Sequence, residues 1–149
     1  MSSMKISSRF SVAVHILSLL SLEPNAHHTS EWMAGSVNTN PVIIRRVTSQ
    51  LKKAGLVAVR SGTGGATLMK PAEQISLLDV YRAVEAVEEG ELFGFHEHPN
   101  PQCPVGANIE SVLQLVMLRA QTAMEQVLGE ITLDQLSAEL KHKIDEKMC

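Results

Sequence analysis

Aromatic residues are scarce in this chain of 149 residues: one Trp, one Tyr and three Phe make up 3% of it. Proteins that hold single-stranded nucleic acid by stacking bases on rings need more, so the sequence excludes that class. Cysteine is rarer still, since only Cys103 and Cys149 occur. Two such distant cysteines exclude a disulfide-stapled secreted domain and a four-cysteine zinc site.

Long apolar runs are also missing. The longest, Phe10–Leu22, has 13 residues and is interrupted by His15 and three serines. A helix of that length reaches roughly 20 Å, which is too short to cross a bilayer. No small-residue cleavage site follows it, as a secretory signal would require. We therefore expect a cytoplasmic protein without a membrane partner.

Net charge is low, at −3, but its distribution is uneven. From Met1 to Lys70 the formal charge is +6, because this segment contains eight Lys and Arg residues but only two acidic ones, Glu23 and Glu31. From Pro71 to Cys149 the formal charge is −9. This asymmetry predicts that the two halves of the chain face different partners, and that the first half faces a polyanion.

The spacing of apolar residues in the first half predicts three helices, over about 10–22, 30–37 and 41–54. Asn40-Pro41 is typical of a helix start and Gly55 of a helix end. Two short strands follow, over 56–60 and 66–70, joined by a loop with three glycines in five residues. Three helices and a β-hairpin form the plan of a winged helix-turn-helix.

The second half is predicted to be helical. Ser76 and Asp79 resemble a capping box that opens a helix to about Val87, with Gly90 as its end. A loop over 91–106 leads to a long helix over 108–128, and Thr132 caps a last helix. The fold class is therefore mainly α with a small β-hairpin: a winged helix-turn-helix domain over 1–72, then an effector loop and dimerisation helices over 73–149.

The third helix is the predicted DNA-reading element, because in this plan it enters the major groove. Its apolar stripe of Ile44, Val47 and Leu51 faces inward and leaves two arginines outside, a residue type suited to guanine edges and phosphates. The alternative is a merely solvated face. The predicted DNA contacts come from the turn, this helix and the wing: Thr39, Asn40, Val42, Arg45, Arg46, Ser49, Arg60, Gly62, Gly64 and Gly65.

The long helix carries an apolar face wider than one small neighbour would cover, which favours a helix–helix dimer. The alternative is a helix buried in the core of its own chain. The predicted dimer interface consists of Ile109, Val112, Leu113, Val116, Met117, Ala120, Met124 and Val127.

Histidines are interpreted mainly as structural or exposed residues. His96, His98 and Cys103 fall within eight residues and could hold zinc or iron, but an exposed loop without a metal is the preferred interpretation. His27 and His28 precede a helix cap, and we expect them on the surface. His15 lies on the polar stripe of the first helix and is predicted to be structural.

Three runs of the sequence together resemble the Rrf2 family of bacterial transcription regulators. They are Asn40-Pro41-Val42-Ile43-Ile44-Arg45-Arg46 through Leu56-Val57, then Arg60 through Gly65, and Ile75-Ser76-Leu77-Leu78-Asp79-Val80-Tyr81. The segment Cys103-Pro104-Val105-Gly106 is similar to the YwnA-type branch. The resemblance covers about 4–136 and implies a homodimeric winged-helix DNA binder whose long helices cross at the dimer interface.

The chain departs from the family pattern at two places. Ala66 follows Gly64-Gly65 where the family usually has an aromatic residue. Cluster-binding members carry three cysteines in the loop before the long helix, and this chain has only Cys103 there. We therefore expect no cofactor, and in particular no iron–sulfur cluster.

The resulting functional hypothesis is a homodimeric, sequence-specific regulator of transcription, interpreted as a repressor rather than an enzyme. Symmetry predicts a pseudo-palindromic operator in double-stranded DNA, with half-sites about one helical turn apart. The alternative is an interaction module that docks on an enzyme or another regulator through its acidic half. For sensing, the regulator is expected to respond to thiol chemistry or to a small ligand. A thiol switch would pair Cys103 with Cys149 of the other subunit, but inert cysteines are the preferred interpretation.

Overall fold

The protein was analysed as a computed structural model, which describes residues 8–24, 28–60, 65–84 and 96–147. Six α-helices, two strands and one 3-10 turn follow one another in these ranges. In chain order they are α1 (Ser8–Leu22), α2 (Ser30–Val37), α3 (Pro41–Lys53), β1 (Val57–Val59), β2 (Ala66–Leu68), the 3-10 turn (Ala72–Gln74), α4 (Leu77–Val84), α5 (Pro104–Glu130) and α6 (Leu133–Lys147).

The helix-turn-helix forms as its capping residues predict. The Thr29 side chain accepts a hydrogen bond from the Trp32 backbone N–H at 3.1 Å and starts α2. Helix α2 ends at Asn38, whose φ of 65° lies in the left-handed region that Asn tolerates. Helix α3 then begins at Asn40-Pro41, so the predicted start is confirmed.

The wing is an antiparallel hairpin in which Val57 pairs with Leu68 and Val59 with Ala66. Beyond these pairs the Arg60 N–H donates to the Gly65 carbonyl at 2.8 Å, at the point where the described part of the hairpin ends. Both strands are shorter than the predicted 56–60 and 66–70. Regular pairing stops at Val59 and Leu68, and one bond continues it at each end: the Arg60–Gly65 bond toward the loop, and a bond from the Met69 N–H to the Leu56 carbonyl at 2.9 Å at the base.

One hydrophobic core spans both halves of the chain. Ile75, Val80 and Leu133, from after position 72, are fully buried in the same cluster as Ile16 of α1 and Ile44 of α3. The predicted division at 72 and 73 therefore separates sequence segments that share one core. The assignment of DNA binding to the first segment, and of effector response and dimerisation to the second, stays a prediction.

Two capping boxes fix the ends of α4 and α6. Ser76 and Asp79 exchange backbone-to-side-chain hydrogen bonds of 3.0 Å each, as predicted. Thr132 caps α6 as predicted, and Gln135 completes the box with a bond of 3.0 Å back to the Thr132 N–H. Helix α4 is described to Val84; its predicted extension to Val87 and Gly90 lies outside the described residues.

Helix α5 begins earlier than predicted. The start expected at Asn108 is wrong, because Cys103 is the N-cap and Pro104 the first helical residue. Proline fits there because its missing N–H would have no partner in the first turn. The Asn108 side chain lies inside the helix and donates to the Pro104 carbonyl at 2.7 Å.

His28 also differs from expectation. It is buried, with 3% of its surface exposed, and its ring meets the Trp32 ring edge-on at 5.2 Å between centroids. The expectation of a surface residue is wrong for His28, whose ring packs against Trp32 of α2; His27 lies outside the described residues. His15 bonds Ser36 of α2 at 2.9 Å, which confirms its structural role.

Candidate nucleic-acid interface

The junction of α2 and α3 is a tight, capped turn that lies at one surface of the molecule. The Thr39 N–H is bonded to the Ala34 carbonyl at 3.0 Å, which closes the end of α2. The Asn40 side chain then accepts from the Ile43 N–H at 3.1 Å. Because a helix N-terminus carries unpaired N–H groups and a positive partial charge, this turn is suited to a phosphate.

Helix α3 is strongly two-faced. Ile44, Val47 and Leu51 are completely buried, as predicted. The opposite face is open to solvent and consists of the predicted contacts Val42, Arg45, Arg46 and Ser49. The structure therefore brings these four side chains together on one exposed surface beside Thr39 and Asn40.

Arg45 is not an isolated cation on this surface. Its guanidinium Nη2 donates to the Glu31 carboxylate Oε2 at 2.8 Å, across from α3 to α2. Both side chains stay exposed, at 56% for Arg45 and 67% for Glu31. Glu31 is not predicted from the sequence, since no sequence pattern links positions in different helices. Arg46 has no ion-pair partner within the described ranges.

A groove of about 210 Å³ separates α3 from the wing. Its rim holds the cations of Arg45 and Lys52 and the hydroxyls of Ser30 and Ser49. Lys52 was not among the predicted contacts, although its place in the last turn of a basic helix could have indicated it. Cations and hydroxyl groups of this kind can pair with phosphate groups and donate hydrogen bonds to their oxygens.

The wing supplies one described cation. Arg60 is exposed at the end of β1, and Gly65 faces it across the hairpin. Gly62 and Gly64, the other predicted wing contacts, lie outside the described residues. Arg60 directly follows β1, which packs on α3, but the groove itself is lined by Val59 and not by Arg60.

The long helix α5 carries a second exposed surface. Among its described residues only Gln121 is buried. The predicted interface residues divide into two groups: Leu113, Met117 and Met124 are half-buried, Ile109 is also partly covered, and Val112, Val116, Ala120 and Val127 are exposed. Val105 and Leu115, exposed at 69% and 68%, extend the apolar surface and were not predicted.

Cys103 is exposed at the N-terminus of α5. The backbone N–H groups of Gly106, and less strongly Val105, lower the pKa of its thiol, although the sulfur makes no regular capping bond. The loop before it is held by Asn100, whose carbonyl accepts from the Cys103 N–H at 3.2 Å. Cys149 lies outside the described residues.

Metal ligation was the less favoured interpretation of this loop. Over residues 8–24, 28–60, 65–84 and 96–147, no group of three or more His, Cys, Asp and Glu side chains is placed to hold one metal ion. That range includes His96, His98 and Cys103. In the same ranges, no helix has the length and apolar character needed to cross a bilayer.

The family model of Rrf2, described as an iron-dependent transcriptional regulator, matches residues 6–139. YwnA of Bacillus subtilis (strain 168), a proposed HTH-type transcriptional regulator, is 50% identical over 128 residues, which are 86% of this chain and 93% of YwnA. The chain belongs to the Rrf2 family. It is a DNA-binding regulator of transcription, and these comparisons give no support to the alternative of a docking module.

Solved structures share this Rrf2 fold. A structure described as a proposed DNA-binding protein is 42% identical, with a TM-score of 0.69, and covers 87% of this chain and 98% of its own. The oxidized form of CymR from Staphylococcus aureus is 26% identical, with a TM-score of 0.65, over 90% of this chain and 96% of its own. The winged-helix fold predicted from the sequence is confirmed.

The iron in the family description does not fit the residues of this chain. Iron–sulfur clusters are held mostly by cysteine thiolates, usually four. The chain has two cysteines, and only Cys103 lies in the loop before α5. We therefore assign no step of its action to a cluster.

Proposed function

We propose that this regulator acts as a homodimer that binds a pseudo-palindromic operator in double-stranded DNA and represses transcription without an iron–sulfur cluster. The observation that carries the proposal is the exposed face of α3, where Arg45 and Arg46 lie beside the Asn40 helix start. Arg45 and Arg46 contact guanine edges or phosphates, and Thr39, Asn40, Val42 and Ser49 fix the register of α3. Since its target is chromosomal DNA, it acts in the cytoplasm and carries out no catalysis.

The exposed side of α5 supports the homodimer. Val105, Val112, Val116 and Val127 recur at spacings that place them on one side of a helix, and each has at least half of its surface in solvent. Contiguous apolar surface of this kind marks an interaction site in soluble proteins. A twofold pairing of α5 helices would place two copies of α3 on one side of the dimer, as a palindromic site requires.

The DNA-binding surface is tested with two double variants, each of which removes two positive charges: one variant on α3 and a control on α6. The Arg45→Ala/Arg46→Ala variant should lose about 1–3 kcal/mol of binding free energy for each arginine that makes a base-specific contact. The matched control is Lys141→Ala/Lys143→Ala, which removes the same charge from the exposed surface of α6. Affinity is measured by fluorescence anisotropy on a duplex that the wild-type protein selects from fragmented genomic DNA.

Equal affinities of wild type and the double arginine variant would contradict this surface assignment. The salt dependence of binding gives an independent measure, because each phosphate neutralised steepens the decline of affinity with salt. A dimer that selects no duplex at low salt would overturn the proposed function as a whole.

We further propose that Cys103 is the sensing residue. Its exposure and lowered pKa favour the reactive thiolate, and CymR, a relative of the same fold, has been crystallised in an oxidized form. The reaction is thiol–disulfide exchange: the Cys103 thiolate attacks a low-molecular-weight disulfide, breaks its S–S bond and releases one half as a thiol. Cys149 of the partner subunit then displaces the second half as a thiol and forms the intersubunit disulfide, so the small disulfide takes up the two electrons. Non-reducing electrophoresis of wild type, Cys103→Ser and Cys149→Ser tests it. A wild type that stays monomeric on the gel and unchanged in DNA affinity would contradict the switch.

A further inference from the structure

Glu31 places a carboxylate on a surface that otherwise suits a polyanion. It is one of two acidic residues in the first 70, and it lies in the first turn of α2, facing Arg45 of α3. Exposed ion pairs contribute little to folding stability. A carboxylate near phosphates would also weaken DNA binding. The helix dipole favours a carboxylate in the first turn of α2, but it does not explain why this carboxylate is paired with Arg45 of α3.

The geometry of the pair suggests its role. Arg45 donates one N–H of its Nη2 to Glu31 Oε2. The other N–H donors of the planar guanidinium remain available for DNA. Glu31 is fixed to α2, whose Met33 and Ala34 are buried, and Arg45 to α3, whose Ile44 is buried. The ion pair therefore joins two rigid helices and restricts the direction in which the free edge of the guanidinium points.

The negative charge of Glu31 also favours specific over non-specific binding. Next to a carboxylate, Arg45 is less attractive to a phosphate at an arbitrary place on the duplex, because the pair is neutral. Its free N–H groups still fit the paired acceptors O6 and N7 of guanine. Binding to non-cognate DNA thus loses strength, while binding to a site with guanine at the correct position keeps it.

We propose that Glu31 is a specificity-determining positioning residue, which holds Arg45 for base readout and reduces binding to non-cognate duplex. The inference rests on the proposed role of α3 in DNA binding. It adds to that role a residue of the other helix of the motif, one that acts through Arg45.

The test compares Glu31→Gln with wild type on two duplexes of equal length and composition: one selected by the wild-type protein from a randomised pool, and one scrambled. Affinities are measured over a series of salt concentrations. We expect the ratio of selected to scrambled affinity to fall at least about fivefold, the lower end for loss of one bidentate base contact. On the scrambled duplex the salt slope should steepen by roughly 0.9, as for one more phosphate contact.

Two controls separate positioning from charge alone. Glu139→Gln makes the same charge change on the exposed surface of α6 and should leave the ratio unchanged. In an Arg45→Ala background, Glu31→Gln should also leave the ratio unchanged, because the residue it positions is gone. Circular dichroism of each variant confirms that the helices are retained.

The outcomes are distinct. If Glu31→Gln strengthens binding to both duplexes by the same factor, or changes neither, Glu31 does not determine specificity, while the proposed DNA-binding surface stands if the arginine variants still lose affinity. If the wild-type protein shows no preference between the duplexes, the proposed function fails first and this inference with it.

Discussion

Asn40 has an observed capping role and a proposed DNA-binding role at the junction of α2 and α3. Its side chain satisfies the Ile43 N–H and so starts α3, and its position beside Thr39 places it where a DNA phosphate would meet the helix. Capping and DNA contact involve the same side chain but different properties of it. The first needs an oxygen acceptor, whereas the second tolerates no negative charge.

Replacing Asn40 should therefore separate the two roles. Asn40→Ala removes the cap and should lower the free energy of unfolding by about 1 kcal/mol in urea titrations. Asn40→Asp keeps an equally good cap and should retain stability, while its charge weakens binding to the selected duplex. An Asn40→Asp variant with undiminished affinity would show that no phosphate approaches this helix start.

Cys103 gives a prediction that depends on pH. Because the N–H groups at the start of α5 lower its pKa, the thiolate forms at lower pH than in an ordinary cysteine. In a Cys149→Ser background, the rate of alkylation by iodoacetamide should rise with pH and level off below the pH at which it does so in the urea-unfolded chain. Coincident profiles for folded and unfolded protein would contradict the effect.

What could be predicted at this scale follows from how local each signal is. The caps at Asn40, Ser76 and Thr132 depend on neighbours three positions away, so the sequence alone revealed them. The contact of Glu31 with Arg45 joins positions 14 apart in two helices, and burial of His28 depends on how α2 turns back. Such contacts exist only after the helices have packed.

At the scale of elements, the start of α5 is hard to predict because proline is common both in loops and at the first position of a helix. Three prolines over 99–104 favoured a loop, yet Pro104 also fits the first position of a helix. The turn before it is compact: the Asn100 side chain accepts from the Gln102 N–H at 2.9 Å, and the Asn100 carbonyl lies against Gly106. This close approach of two backbone segments sets where α5 begins.

The same substitution at two glycines should have opposite effects. At Gly106 an added methyl group would collide with the Asn100 carbonyl, so Gly106→Ala should destabilise the protein by about 1–3 kcal/mol and alter the reactivity of Cys103. At Gly35, inside α2, nothing lies within 4 Å of the added carbon, so Gly35→Ala should stabilise by about 0.5–1 kcal/mol. Urea titrations of both variants give the sign; destabilisation by Gly35→Ala, or none by Gly106→Ala, would contradict this account.

At the scale of the whole molecule, helix packing decides which apolar residues of α5 remain available. Periodicity alone could not separate the two groups, because both follow helical spacing. In the folded chain α5 packs on α4, where Arg82 approaches Glu125 at 3.7 Å and Gly129 contacts Leu78. Leu113, Met117 and Met124 are half-buried in the folded chain, whereas Val112 and Val116 lie in solvent.

The oligomeric state should depend on that exposed side alone. Val112→Glu/Val116→Glu places two charges where the proposed interface excludes water, and charges without partners are costly to bury. We expect this variant to sediment as a folded monomer at concentrations where wild type is a dimer, and to lose affinity for a full operator far more than for a half-site. Gln114→Glu, exposed elsewhere on the same helix, is the control and should remain dimeric. A valine variant that sediments like wild type would place the dimer contact on another surface, and the half-sites of the operator would then have to be arranged around that surface.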